Sequence, residues 1–161
     1  MVQQAMTQTR ELAHGLSPVR LAADGLAEAL RGLATRTTRV FRLDCRFRCA
    51  APLSVPNPAV ASHLYRIAQE AVSNALKHGK ARRIAIRLAA RGNSIILSVR
   101  DNGRGIQTSP DSQTGLGIRI MHYRAEVIGG SLAVRPAPRG GTEVVCTVRE
   151  GALPPLPKLQ E

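Results

Sequence analysis

The sequence predicts an α+β fold, a two-layer sandwich in which a mixed, mostly antiparallel β-sheet carries helices packed on one face. Three observations favour this class. Some segments repeat apolar residues at helical spacing, and others alternate apolar and polar residues in pairs joined by Gly- and Pro-rich turns. The 161 residues, 43% of them hydrophobic, also suffice for one domain with a buried core.

The segment ahead of the sheet is predicted to be helical. Met6, Leu12 and Leu16 fall at a loosely helical spacing with no start signal before them, so we expect the chain to open within a helix of a longer protein. Ser17-Pro18 has the chemistry of an N-cap followed by proline in the first turn, and a second helix follows. The apolar stripe of that helix is Leu26, Ala29, Leu30 and Leu33.

The first strand and the longest helix are predicted in the next part of the chain. Alternating apolar residues indicate a strand from Val40 to Phe47, with Val40 out of phase with the others. A proline-rich loop follows, and a helix is predicted from about Pro58 to Lys77. Its regular helical repeat consists of Val60, Leu64, Ile67, Ala68, Ala71, Val72 and Ala75.

The remaining strands are predicted to form two hairpins. Segments 84–88 and 95–99 alternate in hydrophobicity, and Gly92-Asn93 between them suits a two-residue turn. Strands near Ser131–Arg135 and Thr142–Arg149 form the second pair, with prolines and glycines in the turn.

A further helix is predicted between the two hairpins. Its apolar face is Ile118, Met121, Ala125 and Ile128, and Gly129-Gly130 ends it. After the last strand, the proline-rich tail from 151 to 161 is expected to be disordered.

Composition excludes several classes of protein. No run approaches the roughly 18 apolar residues of a membrane span, and no signal peptide is evident. We therefore expect a cytoplasmic location, which leaves open the cytoplasmic portion of a membrane-bound protein. The net charge is +12, but the arginines are dispersed and only two Phe and two Tyr are present. We therefore expect no nucleic-acid partner. If the basic charge serves an anionic partner, a nucleotide would already be such a partner.

The three cysteines indicate small core residues and free thiols. Cys45 and Cys49 would face one side of a strand, whereas Cys146 is distant in sequence. No second Cys or His pair lies nearby at zinc-ligand spacing, so the pattern does not favour a metal site. Free thiols fit a reducing compartment.

One edge of the longest helix carries polar groups at spacings suited to a cleft. Glu70, Asn74, Lys77 and His78 fall together beside the apolar face. An amide oxygen is a hard, neutral ligand that suits Mg²⁺, a lysine neutralises phosphate, and a carboxylate orders water or accepts a proton. A solvated polar edge is the alternative interpretation of this helix alone.

Two glycine-rich segments follow at a fixed distance. Asp101-Asn102-Gly103-Arg104-Gly105 ends a strand with a carboxylate that can accept a hydrogen bond from an exocyclic amine, or it is an ordinary β-turn. Gly115-Leu116-Gly117 opens a helix, whose free N–H groups favour phosphate, or it is a simple hinge. The coincidence of all three motifs indicates a site for a nucleoside triphosphate with Mg²⁺.

Together these motifs resemble the ATP-binding domain shared by gyrase, mismatch-repair ATPases and histidine kinases, the GHKL superfamily. The helix motif is similar to its N box, Asp101 to Gly105 to its G1 box, and Gly115 to Gly117 to its G2 box. Gly141-Thr142 is similar to the final Gly-Thr element. The resemblance covers roughly Pro58 to Arg149 and implies the GHKL fold.

The resemblance also implies roles for individual residues. Asn74 would hold Mg²⁺, and Asp101 would bind the adenine amine of ATP. Lys77 and His78 would lie near the ribose and phosphates, and Glu70 would be the catalytic acidic residue, as a base or as a positioning group. The other implied ATP-binding residues are Gly103, Gly105, Ile106, Gly115, Leu116, Gly117 and Thr142.

Within the superfamily, the chain most resembles sensor histidine kinases of the nitrate-sensor type. The segment from His63 to Ala71, a short lid at 107–114, which we expect to be mobile without nucleotide, and the segment from Arg10 to Pro18 all fit that subfamily. The implied division is the end of a second dimerisation helix (1–17), an ATP-binding catalytic domain (18–150) and a tail (151–161).

The implied activity is transfer of the γ-phosphoryl group of ATP to a histidine on a dimerisation domain, and from there to a response regulator. The intact protein would be a homodimer. No segment resembles the phosphoacceptor helix with its His-Asp pair, so we expect this chain not to phosphorylate itself. A GHKL-type ATP hydrolase and a nucleotide-binding interaction module without catalysis are the two alternatives.

Overall fold

The computed structural model describes Leu21 and residues 25–106 and 115–151. The expected dimerisation helix, the lid and nearly all of the expected tail lie outside the described residues. In the described part, the elements are α1 (Gly25–Phe41), β1 (Asp44–Cys49), α2 (Pro58–Lys77), β2 (Arg83–Arg91), β3 (Ser94–Asp101), α3 (Leu116–Val127), β4 (Gly130–Pro136) and β5 (Thr142–Arg149).

The strands form one mixed sheet in the order β1-β2-β3-β5-β4. β1 and β2 pair in parallel, and the three other pairs are antiparallel. A parallel neighbour needs a long crossover, which α2 supplies between β1 and β2. The predicted class, a mostly antiparallel mixed sheet with helices, is confirmed.

Alternation along the strands places the core on one side of the sheet. Every second residue of the three central strands is buried, and the residues between them are half-buried or exposed. The three helices pack on the buried side, and the opposite side is left without a helix among the described residues. The buried apolar residues of these three strands are Ile84, Ile86, Leu88, Ile95, Leu97, Val99, Val144, Cys146 and Val148.

α2 begins and ends within one residue of its prediction because its caps are specific. Asn57 Oδ1 accepts hydrogen bonds from the Ala59 and Val60 backbone N–H groups at 2.9 and 3.4 Å, and Pro58 follows in the first turn. All seven apolar residues of the predicted repeat are buried. The Asn57 cap was not predicted, although an Asn directly before Pro58 is a helix-start pattern.

The first predicted strand is wrong at its beginning. Val40 and Phe41 are exposed residues in the last turn of α1, and β1 begins only at Asp44. The run of β-branched residues suggests a strand, but burial of Thr37 extends the helical stripe and overrides that preference. Arg42, with φ of 53°, then reverses the chain.

The other boundaries follow the local chemistry. Gly92 has φ of 57° in the two-residue turn between the paired residues Arg91 and Ser94, as the predicted hairpin requires. Gly129, with φ of 65°, ends α3 as predicted.

Cys45 and Cys146 are buried, and all three cysteines are free thiols. Among the described helices, none combines the length and hydropathy needed to cross a bilayer.

Candidate nucleotide-binding site

Asp101 is the last residue of β3 and is only 8% exposed. Its Oδ1 accepts hydrogen bonds from the backbone N–H of Gly103 at 2.7 Å and of Thr142 at 3.3 Å. No hydrogen bond to Oδ2 occurs among the described residues. Two N–H donors therefore fix the orientation of the carboxylate and leave one oxygen to accept a bond from a ligand.

The segment after Asp101 is bound to the segment that follows α2. Asn102 Oδ1 accepts from the Arg82 and Arg83 N–H groups at 3.0 and 2.8 Å. The Arg104 N–H donates to the Gly79 carbonyl at 2.8 Å. These bonds join the predicted G1 segment to the end of the predicted N-box helix, so the first two motifs form one unit.

Two glycines permit this close approach of backbones. A Cβ on Gly103 would lie 2.7 Å from the Gly79 carbonyl carbon, and a Cβ on Gly141 would lie 2.6 Å from the Asp101 carbonyl carbon. Gly141 also has φ of 91°, which L side chains rarely adopt. The predicted Gly-Thr element is thus pressed against Asp101, and side chains at these positions would push the strands apart.

The N-terminus of α3 lies on the polar edge of α2. A Cβ placed on Gly117 would overlap the Glu70 carboxylate, with Glu70 Cδ at 3.0 Å and Asn74 Nδ2 at 3.5 Å. Glu70 and Asn74 are half-buried and make no side-chain hydrogen bond among the described residues. The third motif therefore meets the first, and two polar side chains are left free to bind a ligand.

The first turn of α3 has free backbone donors. Gly115 is its N-cap and provides no side-chain hydrogen bond to the turn, and Leu116 is 71% exposed. The early N–H groups of a helix carry partial positive charge, so this end suits an anionic group such as a phosphate.

A magnesium ion bound together with a nucleotide fits the side chains present. No group of three or more His, Cys, Asp and Glu side chains able to hold a metal occurs among the described residues. The Glu70 carboxylate and the Asn74 amide nevertheless both lie beside Gly117, so an acidic and an amide side chain one helical turn apart are available to supply oxygen ligands. Mg²⁺ commonly takes one or two protein oxygens and completes its shell with phosphates and water.

The helices α2 and α3 run in opposite directions along their contact. Gly117 meets Glu70 at one end, and two turns away the charge of Arg124 acts on His63. His63 Nδ1 is buried without a hydrogen-bond partner in the described part. Burial, and then the Arg124 charge, lower the pKa of His63 below its ordinary 6.5. This contact escaped the sequence analysis because helical periodicity does not reveal which helix is the neighbour.

The structure brings together some predicted residues more closely than others. Glu70, Asn74 and Gly117 meet, as do Asp101, Gly103 and Thr142. A Cβ on Gly105 would lie 3.0 Å from the Gly141 carbonyl oxygen, nothing lies within 4 Å at Gly115, and Ile106 is half-buried. Lys77 and His78 are exposed at the end of α2, without side-chain hydrogen bonds in the described residues. Sequence reasoning placed Asn102 and Gly141 within the motifs without giving them a role, although the Asn-Gly and Gly-Gly pairs signalled tight turns, and it left Gly79 out of the site.

Residues 59–152 match the family described as histidine kinase-, DNA gyrase B- and HSP90-like ATPase. The chain belongs to this family. The match covers the three motifs and the final Gly-Thr element, and it agrees with the resemblance inferred from the sequence. The described fold therefore is that of a GHKL domain.

Two of the similar proteins are bacterial sensor proteins. The nitrate/nitrite sensor protein NarX of Escherichia coli K12 is 34% identical over 129 residues, which are 80% of this chain and 22% of that protein. The sensor histidine kinase LiaS of Bacillus subtilis is 31% identical over 144 residues, 89% of this chain and 39% of that protein. The chain thus spans well under half the length of these relatives.

A solved structure supports the fold. The ATP binding domain of PrrB from Mycobacterium tuberculosis superposes with a TM-score of 0.61 at 22% identity, covering 78% of this chain and 93% of that domain. At this identity the similarity speaks for the fold alone. The mixed sheet with its layer of helices is thus an architecture already known for an ATP-binding domain.

Proposed function

We propose that this chain is the ATP-binding catalytic domain of a two-component sensor histidine kinase. It binds ATP with Mg²⁺ and presents the γ-phosphoryl group to a histidine on a dimerisation domain. The observation that carries the proposal is the meeting of the three motifs: Asp101 is fixed by Gly103 and Thr142, while Gly117 lies against Glu70 and Asn74. Family membership and the sensor kinases among the relatives support it.

The site supplies a separate group for each part of the nucleotide. The free oxygen of Asp101 accepts from the adenine amine, and the glycines on both sides give the base room. Asn74 holds the metal, and the N–H groups of Gly115 to Gly117 donate hydrogen bonds to phosphate oxygens. Exposed Lys77 and His78 lie at the end of the same helix, where their side chains can reach the phosphates and ribose.

The chemistry asked of these residues is positioning and charge neutralisation. Bound Mg²⁺ would offset the negative charge of the phosphates as the γ-phosphoryl group leaves. Glu70 is adjacent to Asn74 and to the start of α3, so its carboxylate can orient an attacking group or accept a proton. No covalent intermediate on this domain is required.

The exposed face of α3 is the surface that we assign to the dimerisation domain. Four large apolar side chains at positions 116, 120, 123 and 127 fall on one stripe of the helix, 39–71% exposed. A contiguous apolar stripe on a helix next to a phosphate site suits a partner that must approach the γ-phosphate. We name Leu116, Ile120, Tyr123 and Val127 the α3 stripe.

The proposal also covers the location, oligomeric state and partner of the intact protein. We place the domain on the cytoplasmic side of the membrane, in a homodimeric kinase that passes its phosphoryl group to a response regulator. The division of the chain at residues 17 and 150, with a tail after it, stays a prediction.

Phosphotransfer to a supplied acceptor tests the proposal. The chain is mixed with γ-labelled ATP, Mg²⁺ and the separately produced dimerisation domain of NarX, with the NarX catalytic domain as positive control. We expect label on the acceptor that is stable to base and labile to acid, as phosphohistidine is, and no label on this chain alone. Glu70→Gln is expected to lower the rate without removing ATP binding.

The same assay distinguishes the alternatives. Steady release of inorganic phosphate by the chain alone, lost in Glu70→Gln, would favour the ATP hydrolase. ATP binding with neither hydrolysis nor transfer, under conditions in which the NarX control transfers its label, would favour the binding module.

A further inference from the structure

The face of the sheet opposite the helices is dominated by arginine. The outward positions of all five strands, read from their alternation and register, carry eight arginines and two carboxylates. We name this surface the arginine face. Its charged residues are Arg46, Arg48, Arg83, Arg87, Arg91, Arg100, Arg135 and Arg149, with Asp44 and Glu143.

Most of this positive charge is unpaired. Asp44 forms a salt bridge with Arg46 at 2.7 Å, and Glu143 forms one with Arg135 at 2.8 Å. The other six arginines of the face form no ion pair with the described residues. The face therefore has a net charge of +6, which is half of the +12 of the whole chain. Charge that looked dispersed along the sequence is concentrated by the fold.

The strand register places arginines of neighbouring strands next to one another on this face. Arg48 and Arg87 are direct partners of the parallel β1–β2 pair and point to the same side. Like charges placed directly opposite on one face of a sheet destabilise the pairing. Arg46 and Arg100 both lie opposite Ala85, one on each side of it. Nothing in the packing of the core requires these outward positions to be basic.

A concave site lies among these side chains. The cleft, of about 540 Å³, is lined by the outward parts of β1, β2 and β3. Guanidinium groups are planar and donate two parallel hydrogen bonds to a carboxylate, so a cluster of them in a cleft suits several carboxylates at once. The charged and amide residues along its lining are Asp44, Arg46, Arg48, Arg83, Arg87, Arg100, Asp101 and Asn102.

The chemistry of the face selects among anionic partners. It carries no aromatic side chain on which a base could stack, which disfavours nucleic acid. Exposed large apolar side chains of the described residues lie on α1 and α3 and none on this face, so it lacks the apolar groups that a membrane-binding surface inserts. The rest of this chain offers no acidic run that could bind the face, since the acidic residues outside the described part are single and scattered, at Glu11, Asp24, Asp111 and Glu161.

We propose that the arginine face is a docking surface for a carboxylate-rich segment of a protein partner. The two-dimensional array and the cleft suit a folded or extended acidic surface rather than a single small anion. The arginine face lies on the side of the sheet opposite the helices that carry Glu70, Asn74 and Gly117, and its cleft reaches Asp101 and Asn102 at the end of β3.

Binding of a labelled deca-glutamate peptide to the full chain tests this proposal. The face variant is Arg48→Glu with Arg87→Glu, and the matched control is Arg39→Glu with Arg139→Glu, which changes net charge equally at exposed positions away from the face. We expect saturable binding at about 0.15 M salt that the face variant weakens at least tenfold and the control less than threefold. An unchanged thermal midpoint and unchanged ATP binding show that the face variant is folded.

Three results would overturn the proposal. Equal weakening in both variants would reduce the effect to net charge, and no saturable peptide binding would remove the site. Selective binding of anionic phosphatidylserine vesicles or of duplex DNA, lost in the face variant while the peptide fails to bind, would assign the face to a lipid surface or to nucleic acid. If the face variant unfolds, Arg48→Gln with Arg87→Gln replaces it, with Arg39→Gln and Arg139→Gln as its control.

Discussion

At the scale of single residues, the candidate site depends on where backbones touch. Asp101 carries the charge that we propose recognises the base, and Gly103, Gly141 and the N–H of Thr142 determine the position of its carboxylate. A buried carboxylate that accepts two backbone N–H bonds is held rigidly, which lowers the entropic cost of binding a ligand to its free oxygen.

Gly141→Ala is expected to destabilise the fold far more than Gly140→Ala. Both glycines have positive φ, 91° and 85°, so both substitutions introduce the same backbone strain of about 1–2 kcal/mol. Only the Gly141 Cβ would meet backbone, at 2.9 Å from Asn102 Cα, whereas nothing lies within 4 Å at Gly140. We predict an additional loss of at least about 2 kcal/mol, measured by urea unfolding. Equal losses would contradict the close contact with Asp101.

Gly117→Ala is expected to affect nucleotide binding rather than stability. Its Cβ would displace the end of the Glu70 side chain, which is flexible, while alanine in a helix adds up to about 1 kcal/mol of stability. We predict roughly tenfold weaker binding of Mg²⁺-ATP by calorimetry. The control is Gly32→Ala in α1, where the new Cβ would meet only the end of Arg36. Unchanged affinity in Gly117→Ala would separate α3 from the site.

At the scale of elements, the pairing of α2 with α3 assembles the site. α2 supplies Glu70 and Asn74, and α3 supplies the free N–H groups of its first turn. At the other end of the same pair, the Nδ1 of half-buried His63 is buried, and the charge of Arg124 acts on this residue. A change in protonation of His63 therefore reports on this packing.

Acid is expected to weaken the wild type more than His63→Gln. The pKa of His63 is lowered in the fold, so the unfolded chain binds the proton first. The stability that this residue contributes is complete above pH 6.5 and is lost as the pH falls towards the lowered value. The loss is small, because the group is partly solvated.

The measurement is the free energy of unfolding from about pH 7.5 to 5. Its control is His122→Gln, which removes an exposed histidine of α3 and should leave the wild-type slope unchanged. A slope that persists in His63→Gln but is lost in His122→Gln would contradict the assignment.

The α3 stripe makes a prediction that rests on the proposed function. Tyr123→Ser removes an aromatic side chain that is 66% exposed and is expected to lower phosphotransfer to the supplied dimerisation domain roughly tenfold. Binding of ATP should not change, since Tyr123 faces away from α2. Phe41→Ser, at a 39% exposed aromatic residue of α1, is the control. Equal rates in both variants would move the contact elsewhere.

At the scale of the whole molecule, periodicity predicted most elements but not their neighbours. The helix α2 and the two hairpins could be predicted because their buried residues recur at regular spacing, and Pro58 and Gly92 mark the boundaries. The end of α1 could not be predicted, since the burial of Thr37 depends on tertiary packing. The arginine face depends on register between distant strands, which hydrophobic alternation alone does not determine.

The site was predicted as three motifs, and the fold explains why they work together. Spacing identified Asn74, Asp101 and Gly117, but their meeting depends on α2 crossing between parallel strands and on α3 running back along it. The hydrogen bonds from the Arg82 and Arg83 N–H groups to Asn102 Oδ1 also depend on this topology. Local sequence carries the chemistry, and topology brings it to one place.

The most direct measurement of the central claim is thermal unfolding with and without Mg²⁺-ATP. It compares the wild type with Asp101→Asn and with Asp44→Asn, an exposed aspartate on the opposite face. Asparagine at 101 retains the acceptor for the two N–H groups but offers the adenine amine a donor instead of an oxygen.

Ligand at about 100 times its dissociation constant adds roughly 2.7 kcal/mol, a rise in Tm of about 5–10 °C for a domain of this size. The account predicts this rise for the wild type and for Asp44→Asn, a much smaller one with Mg²⁺-GTP, and none for Asp101→Asn. Equal rises in Asp101→Asn and the wild type, or none in any of them at millimolar ATP, would contradict an adenine-reading site at the end of β3.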